Sequence, residues 1–405
     1  MTSKTYCPMP WMHLHVAVDG TVQPCCIGKY VGKIQKNSLE EIWNGDTMKN
    51  IRLKMLNNEE PTECSKCFTT EQDLSSESLR IHSIQEYGKY VNPELETQPD
   101  GSLKDMKLRY IDFRFNNLCN FKCRICNPLY SSNIGSEIVA FHKIDMINVV
   151  NKNGPILYEE FKKQYDNVAR IYFAGGEPIM QREHFQVLKD LIESGRAKDI
   201  GLMYSTNGSK FKNGLGNMFE YWPNFKEVTV VFSLDGYGKP AEYWRSGTNW
   251  EDVEENIRNV KQYDNIEARV HSVVGWPNVF NWIEFIKYAL ETDLIDNLLS
   301  VAGVTPINDP YCYALSAAPD FKKKAIVKEL NKLKEYVWLY ISHTKYIHQA
   351  ELIKSIDTLI NSVYVSDVPL LKKQFMLKNT RLDVWRDEDF FIAFPEHEDM
   401  RPYIT

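Results

Sequence analysis

The sequence lacks any long uninterrupted run of apolar residues, since none approaches the roughly 18 residues that a membrane-spanning helix needs. Its first residues, MTSKTYCPMPW, also lack the apolar stretch of a secretory signal. Basic residues are not in excess, with 48 Lys and Arg against 54 Asp and Glu, so no surface for coating nucleic acid is indicated. We therefore expect a cytoplasmic protein with no membrane partner and no nucleic-acid partner.

What the chain does contain is typical of a globular protein: 405 residues, of which 43% are hydrophobic and 25% are charged. This length predicts one large domain with an appendage, or two to three smaller domains. In a reducing compartment, cysteines serve as metal ligands or catalytic groups more often than as disulfides.

The nine cysteines are grouped along the chain rather than scattered. Eight of them form two groups and one stands alone: Cys7, Cys25, Cys26, Cys64 and Cys67; then Cys119, Cys123 and Cys126; then Cys312. Cysteines that only fill a core would not cluster in this way, so the distribution predicts two metal centres.

Four regions follow from composition and pattern. We expect a turn-rich, cysteine-rich domain over residues 1–75, a polar connector over 76–105, an α/β domain over 106–310 and a helical region over 311–405.

Two local elements are predicted in the first region. Asp-Gly within Val18–Val22 predicts a tight hairpin. Ser38 and Glu41 form a capping box that predicts a helix over Ser38–Leu56, with Ile42, Ile51 and Leu56 among its buried residues.

Strands and helices alternate from about residue 106 onward. We predict strands over Tyr110–Phe115, Ala169–Phe173, Gly201–Tyr204, Val228–Leu234, Ala268–Val274 and Leu298–Val304. Six βα units in register imply a parallel sheet, and the predicted fold class is α/β, a partial (β/α)6 TIM-type barrel. Cysteines, GGEP, STNG and SLDG each follow a strand end, and βα loops at that face of a barrel converge on one mouth.

The loop Asn117–Pro128, NLCNFKCRICNP, places three cysteines within eight residues and has no fourth. Three thiolates can bind an iron–sulfur cluster, a zinc ion or nothing. Zinc sites favour paired knuckles with longer gaps, and no histidine follows closely here. On a cubane, three thiolates leave one iron without a protein ligand, and that iron can bind a substrate or cofactor.

The spacing C-x3-C-x2-C after a first strand, followed by GGEP, resembles the radical S-adenosylmethionine (SAM) superfamily over about residues 106–305. The resemblance implies that the open iron of a [4Fe–4S] cluster chelates the methionine moiety of SAM. One electron from the cluster, delivered by a flavodoxin- or ferredoxin-type donor, then releases a 5′-deoxyadenosyl radical that abstracts a substrate hydrogen.

The resemblance assigns roles residue by residue. Cys119, Cys123 and Cys126 match the cluster ligands of the catalytic site, and the SAM-binding positions match Gly175, Gly176, Glu177, Ser205, Asn207, Ser233, Asp235 and Arg245. One departure is Ile125, since many members have an aromatic residue just before the third cysteine.

The N-terminal cysteine block resembles the SPASM/twitch module, which usually follows the radical SAM barrel instead of preceding it. The resemblance implies one auxiliary [4Fe–4S] cluster with four ligands: Cys7, Cys25, Cys64 and Cys67, with Cys26 as the alternative to Cys25. A four-cysteine zinc site is the competing interpretation. A closed cluster would relay an electron or act only as a structural staple.

Several functional possibilities stay open at this level. The preferred reaction is oxidation or rearrangement of a small molecule or peptide; the alternatives are sulfur insertion and a non-catalytic iron–sulfur protein. Further polar candidates at the barrel mouth or near the cluster, each with a structural role as its alternative, are Asp112, Arg114, Arg269, His271, His13 and His15. We expect Cys312 to be a buried thiol, with a catalytic role as the alternative.

Overall fold

The computed structural model describes residues 3–72, 78–143, 150, 152–294, 303–341, 349–364 and 371–404, which form a mixed α/β protein. The strands are β1 (His13–Val16), β2 (Thr21–Gln23), β3 (Gly32–Lys33), β4 (Tyr110–Phe113), β5 (Lys122–Cys123), β6 (Arg170–Phe173), β7 (Gly201–Thr206), β8 (Lys212–Asn213), β9 (Gly216–Asn217), β10 (Glu227–Ser233), β11 (Arg245–Ser246), β12 (Ile266–Val274) and β13 (Val304–Pro306).

The α-helices are α1 (Met9–Met12), α2 (Leu39–Trp43), α3 (Asp46–Leu56), α4 (Ser65–Gln72), α5 (Leu79–Tyr87), α6 (Pro93–Glu96), α7 (Ser132–His142), α8 (Gly154–Lys162), α9 (Arg182–Glu193), α10 (Met218–Tyr221), α11 (Gly238–Trp244), α12 (Trp250–Val260), α13 (Val279–Glu291), α14 (Asp320–Ile341), α15 (Gln349–Ser362), α16 (Leu371–Phe375), α17 (Arg381–Arg386), α18 (Phe390–Ala393) and α19 (Arg401–Ile404).

Internal contacts divide the chain into two compact units. The first unit comprises Met1–Leu118, Val150–Met203 and Asn224–Glu227; the second comprises Cys119–Val149, Tyr204–Pro223 and Val228–Thr405. The domain boundaries predicted after residues 75, 105 and 310 stay predictions, and so does the partial barrel.

In the first unit, the predicted hairpin is confirmed, since β1 and β2 pair antiparallel around a turn. Gly20 occupies the turn at φ +83°, a conformation that favours glycine. β2 also pairs antiparallel with β3. β1 pairs parallel with β4, and β4 pairs parallel with β6. The N-terminal hairpin therefore shares one sheet with the first predicted strand of the α/β region.

The two faces of this sheet differ in chemistry because side chains alternate along a strand. Leu14, Ile111 and Phe113 are fully buried on one face, where the Phe113 ring meets Phe161 of α8 edge-on at 5.9 Å between centroids. His15 and its cross-strand partner Asp112 lie on the other face. The sheet therefore has an apolar face covered by helices and a face that carries polar side chains.

The helix predicted over Ser38–Leu56 is two helices, so that prediction was wrong in its length. The capping box of Ser38 and Glu41 is confirmed and starts α2. The break falls at Asn44, whose side chain donates to the carbonyl of Leu103 at 2.8 Å and accepts from its amide at 2.9 Å. Leu56 is only half-buried, and Met55, at 1% exposed, takes its place in the core.

In the second unit, β10, β12 and β13 pair in parallel. The strand predicted over Leu298–Val304 is described only from Val304, and residues 298–302 lie outside the described residues. Its described part runs on to Pro306.

The other strand predictions hold to within two residues. β4 ends at Phe113 rather than Phe115, β7 runs to Thr206, and β12 begins at Ile266. Strand type and order followed from period-two apolar patterns, whereas the ends depend on hydrogen-bond partners that the local pattern does not specify.

The residues after 310 that the structure describes are helical, with α14 as the longest element. Four apolar residues of α14, spaced three or four positions apart, are fully buried: Ile326, Leu330, Leu333 and Val337. Tyr340 is half-buried and donates its hydroxyl to the carbonyl of Leu290 at 2.8 Å. Among the helices that are described, none has both the length and the apolar character to cross a membrane.

Candidate functional site

Four N-terminal cysteines line a single cavity in the first unit: Cys7, Cys25, Cys64 and Cys67. Cys7 lies just before α1, Cys25 follows β2, and Cys64 and Cys67 lie in the 3-10 turn and the first turn of α4. Residues far apart in the sequence thus bring four thiols to one place. Four thiols around a cavity are the donor set that a [4Fe–4S] cluster takes, so these residues fit that group.

Burial raises the pKa of the Cys7 thiol, and repulsion from Cys64 and Cys67 raises it further. Burial also raises the pKa of Cys25, with repulsion from Cys26 and Cys7. Because the thiolate is the metal ligand, a bound cation would stabilise the charged form that this cavity otherwise disfavours.

The adjacent cysteines Cys25 and Cys26 differ in their surroundings. Cys25 lines the cavity, whereas Cys26 is exposed and its charged neighbours are Asp112 and Arg114. This placement favours Cys25 as the fourth ligand. Within the described parts of the chain, no three Cys, His, Asp or Glu side chains are arranged to hold a single metal ion. The cavity and its four thiols are the observations that fit a cluster.

Arg80 also lines this cavity, and the sequence analysis did not identify it. Its guanidinium is buried, donates to the carbonyl of Tyr6 at 2.9 Å and forms an ion pair with Glu71. It lies in a stretch assigned to a polar connector, and no local motif distinguishes it from a surface arginine.

A second polar cluster lies on the polar sheet face of the first unit. Asp112, 1% exposed, accepts a hydrogen bond from His15 Nδ1 at 2.7 Å and pairs with Arg114 Nε at 3.3 Å. His13 Nδ1 instead lies 3.0 Å from the carbonyl of Tyr110. The candidates Asp112, Arg114 and His15 are therefore brought together, and both histidines have partners other than the four thiols.

The Gly175-Gly176-Glu177 turn, also in the first unit, follows β6 and closes against the backbone leading to the three-cysteine loop. Gly175 has φ +119°, and a Cβ on Gly176 would lie 2.3 Å from the carbonyl oxygen of Leu118. The amide of Glu177 donates to the same oxygen at 2.7 Å. Only glycine allows this approach, and it fixes the turn against the residue that immediately precedes Cys119.

The three-cysteine loop begins the second unit. Cys123 lies on the short strand β5, which pairs antiparallel with β11 so that Cys123 faces Arg245 in register. The amide of Cys126 donates to the carbonyl of Cys123 at 3.1 Å, and the amide of Cys119 donates to Ser132 Oγ at 3.2 Å. All three cysteines are partly exposed, as an accessible cluster requires.

Arg245 joins the loop to the end of β10. Its Nη1 lies 3.9 Å from Cys123 Sγ, and its Nε donates to Asp235 Oδ2 at 2.7 Å. Burial raises the pKa of Cys123 to about 11, and the positive charge of Arg245 opposes that increase. Asp235 is itself fixed, because its Oδ1 accepts from the amide of Val273 at 2.7 Å.

Four of the predicted SAM-binding residues line one cavity within the second unit: Asn207, Ser233, Asp235 and Arg245. Asn207 also donates to Asn120 Oδ1 at 2.9 Å, which connects the end of β7 to the loop. Ser205 lies on β7 and is not among the residues lining this cavity. Polar groups from the ends of β7 and β10 and from Arg245 are thus arranged beside the Cys123 thiol, and these residues fit a polar, charged cofactor such as SAM.

Arg124 is the residue that the sequence analysis missed in the loop itself. Its side chain is fully buried and pairs with Asp383 and Glu388 near the C-terminus. A charged residue between two cysteine ligands is visible in the sequence, but nothing local identifies partners more than 250 residues away.

The remaining candidates have structural partners. His271 Nε2 lies 3.0 Å from Thr305 Oγ1, and burial lowers the pKa of His271. Arg269 pairs with Glu267 at 2.5 Å. Cys312 is 3% exposed, and burial raises its pKa to about 11, as expected for a buried thiol.

Comparison with known proteins gives matches to a family model, to a relative and to solved structures. Residues 7–68 match the family model of SPASM, an iron–sulfur cluster-binding domain. The chain is 26% identical over 215 residues to the 7,8-dihydro-6-hydroxymethylpterin dimethyltransferase of Methanocaldococcus jannaschii, covering 46% of this chain and 39% of that protein. It therefore spans about two fifths of the length of that relative.

Two solved structures are similar at low TM-scores. anSMEcpe with bound AdoMet is 20% identical with a TM-score of 0.36, covering 55% of this chain and 57% of that one. Streptococcus suis SuiB bound to S-adenosylmethionine is 17% identical with a TM-score of 0.38, covering 73% and 64%.

The SPASM match and the similarity to the dimethyltransferase agree with the predicted resemblance to the radical SAM superfamily. The SPASM match also supports the iron–sulfur cofactor predicted from the sequence. The SPASM match falls on the region that contains the four cavity cysteines. The finer assignment to the twitch type stays a prediction.

Proposed function

We propose that this chain is a radical SAM enzyme with one SAM-binding [4Fe–4S] cluster and one auxiliary [4Fe–4S] cluster. Cys119, Cys123 and Cys126 would hold the first cluster. The second would be held by four thiols: Cys7, Cys25, Cys64 and Cys67. When bound, the cluster and SAM supply a 5′-deoxyadenosyl radical that abstracts a hydrogen atom from the substrate.

The observation that carries this proposal is the bridging position of Arg245. Its guanidinium contacts both Cys123 Sγ and the Asp235 carboxylate, at a cavity that Asn207 and Ser233 also line. A fixed cation next to a partly exposed thiol stabilises the thiolate and provides a partner for a carboxylate ligand. A purely structural loop would not require a mostly buried cation placed beside a thiol.

The other residues divide into positioning and binding roles. The Gly175-Gly176-Glu177 turn would present its backbone and the Glu177 carboxylate to the SAM ammonium group. Asp235 keeps Arg245 in place, and Asn207 and Ser233, which line the same cavity, would contact SAM. The four-thiol site, having no open ligand position, would relay an electron and would not bind substrate.

The reaction that fits this arrangement best is oxidation or rearrangement of a small molecule or peptide in the cytoplasm. A flavodoxin- or ferredoxin-type protein would deliver the electron. Four thiols at the auxiliary site argue against sulfur insertion, because a sulfur donor needs an open or sacrificial iron.

The test is anaerobic reconstitution of the full chain with iron and sulfide, reduction with dithionite and addition of SAM. We expect about eight irons per chain, as two cubanes require, and release of 5′-deoxyadenosine. Zinc in place of iron, or intact SAM after reduction, would contradict the proposal. A Cys312→Ala variant is the matched control, since its thiol lies in neither site, and it should behave like the parent protein.

Methyl transfer is a second candidate, favoured by the relative that is named a dimethyltransferase. The same reaction mixture separates the two. Methyl transfer from SAM would release S-adenosylhomocysteine, whereas hydrogen abstraction alone releases 5′-deoxyadenosine.

A further inference from the structure

Arg124, which lies between two of the three loop cysteines, has a buried side chain. Its backbone amide donates to the carbonyl of Trp244 at 3.0 Å, and its side chain is completely inaccessible to solvent. A buried arginine is costly unless its five donors are satisfied. Its contacts therefore show what the loop is attached to.

The partners of Arg124 come mainly from the C-terminal stretch of residues 379–388. Its Nη2 pairs with Asp383 Oδ1 at 2.6 Å and with Glu388, and its Nη1 donates to Asn379 Oδ1 at 3.1 Å. The guanidinium also lies 3.7 Å from the ring centroid of Tyr243. Two carboxylates and an aromatic face thus compensate one buried cation.

The partners of Arg124 also form hydrogen bonds with one another. The Tyr243 hydroxyl donates to Asp383 Oδ1 at 2.8 Å and accepts from Asn379 Nδ2 at 3.0 Å. The side chains of Asp383, Asn379 and Tyr243 are thus each oriented by at least one further hydrogen bond, which limits the positions that the guanidinium can take.

Lys122, on the other side of Cys123 from Arg124, is attached to the same C-terminal stretch through Glu137. Lys122 Nζ contacts Glu137 Oε1 at 2.8 Å, and the same carboxylate receives two hydrogen bonds from Arg386, at 3.0 and 2.8 Å. Glu137 and Arg386 are both almost fully buried. Both neighbours of the central cysteine are therefore tied, directly or through one carboxylate, to residues 379–388.

We propose that Arg124 is a positioning residue for the three-thiol site, and that residues 379–388 hold the cysteine loop in the conformation that binds its cluster. The inference rests on the proposed function, since it takes the loop to be a cluster site. Outer partners that orient ligand-bearing segments affect metal affinity strongly, with typical losses of about 10- to 100-fold. The C-terminal stretch is thus part of the site, although it contributes no ligand.

The experiment compares full-length Arg124→Gln and Arg124→Lys variants with the parent protein after anaerobic reconstitution. The readouts are iron per chain and the electron paramagnetic resonance (EPR) signals of the reduced protein with and without SAM. The matched control is Lys322→Gln, which removes a buried lysine of the C-terminal region from its ion pair with the half-exposed Asp399 at 2.7 Å. Its Nζ also donates to the carbonyl of Glu396, and neither partner belongs to the cysteine loop.

For Arg124→Gln we expect iron to fall from about eight to about four per chain, with loss of the SAM-sensitive signal only. Arg124→Lys should retain part of that signal, because it keeps the charge and loses the forked geometry. Lys322→Gln should keep both signals even if its melting temperature falls. A variant Arg124→Gln that keeps all its iron and its SAM-sensitive signal would overturn the inference.

Two further outcomes remain decisive. If the parent protein itself shows no SAM-sensitive signal, the proposed function fails, irrespective of Arg124. If Arg124→Gln does not fold, Asp383→Asn takes its place, because it removes one partner and leaves Glu388 on the guanidinium. Selective loss of the SAM-sensitive signal in Asp383→Asn supports the inference, and full retention of it overturns the inference.

Discussion

The two groups of cysteines are held by different kinds of structure. The four thiols of the first unit surround a cavity, and short turns and helix starts close to them in the chain position them. The three thiols of the second unit lie on a partly exposed loop that is fixed through its intervening residues, Lys122 and Arg124. The first arrangement suits a closed cluster, and the second keeps all three thiols partly exposed.

The difference shows how a protein can keep one metal position open. In a four-ligand site the metal completes the coordination of every ligand, and here Arg80, paired with Glu71, also lines the four-thiol cavity. A three-ligand site must hold its loop by other means, and here buried ion pairs serve that purpose. A charged network outside the ligand set is therefore expected at the open site.

The largest effect should come from removing one ligand from each group in turn. Cys123→Ala should abolish release of 5′-deoxyadenosine and leave the auxiliary cluster, because a cubane held by two thiolates is unstable. Cys67→Ala should lose the auxiliary cluster and retain SAM cleavage. Both variants should hold about four irons per chain, measured by iron assay. Loss of SAM cleavage in both variants alike would show that the two sites are not independent.

The next effect distinguishes the adjacent cysteines of the four-thiol site. Cys25→Ser should lose about half of the iron, because Cys25 lines the cavity, whereas Cys26→Ser should keep it. Iron content and the EPR signal that does not respond to SAM are the measurements. The reverse pattern would assign the fourth ligand to Cys26.

A smaller effect is expected from Arg245→Gln at the three-thiol site. Since Arg245 contacts Cys123 and Asp235, its loss should weaken SAM binding about 10- to 100-fold without unfolding the chain. Equilibrium dialysis of SAM on the reconstituted protein measures this change. Arg269→Gln is the control, because Arg269 pairs with Glu267 on its own strand. Equal affinity in the two variants would remove Arg245 from the site.

The smallest effect concerns the folding stability of the first unit, which contains the four-thiol site, at acid pH. Burial lowers the pKa of His184 to about 3, so the unfolded chain takes up the proton at a higher pH than the folded chain. The contribution of the uncharged His184 to the free energy of unfolding is complete above about pH 6.5. It declines as the pH falls toward 3, by up to about 1.4 kcal/mol per pH unit.

Unfolding by urea between pH 5 and 8 tests this dependence. His184→Leu should flatten the acid side of the profile, whereas His142→Leu, at an exposed position, should leave its slope unchanged. An identical slope in the parent protein and both variants would show that His184 does not contribute.

Local patterns predicted much of this molecule. The hairpin at Gly20, the capping box at Ser38 and the strand order followed from residues close in sequence. The grouping of the cysteines indicated two sites, and the four N-terminal ligand candidates do lie around one cavity.

What local patterns could not predict is long-range pairing. His15 and Asp112 are 97 residues apart, and Arg124 and Asp383 are 259 residues apart. The break at Asn44 likewise depends on a contact with Leu103. In each case the determining interaction is a side-chain contact that only the folded chain brings together.

The EPR spectrum of the reduced, fully reconstituted protein before and after addition of SAM distinguishes an open cluster from a closed one. We expect two [4Fe–4S] signals, one of which changes with SAM because its cluster has an open iron, while the other stays the same. Two EPR signals that both stay unchanged on addition of SAM, or two that both change, would contradict the assignment of an open three-thiol site and a closed four-thiol site.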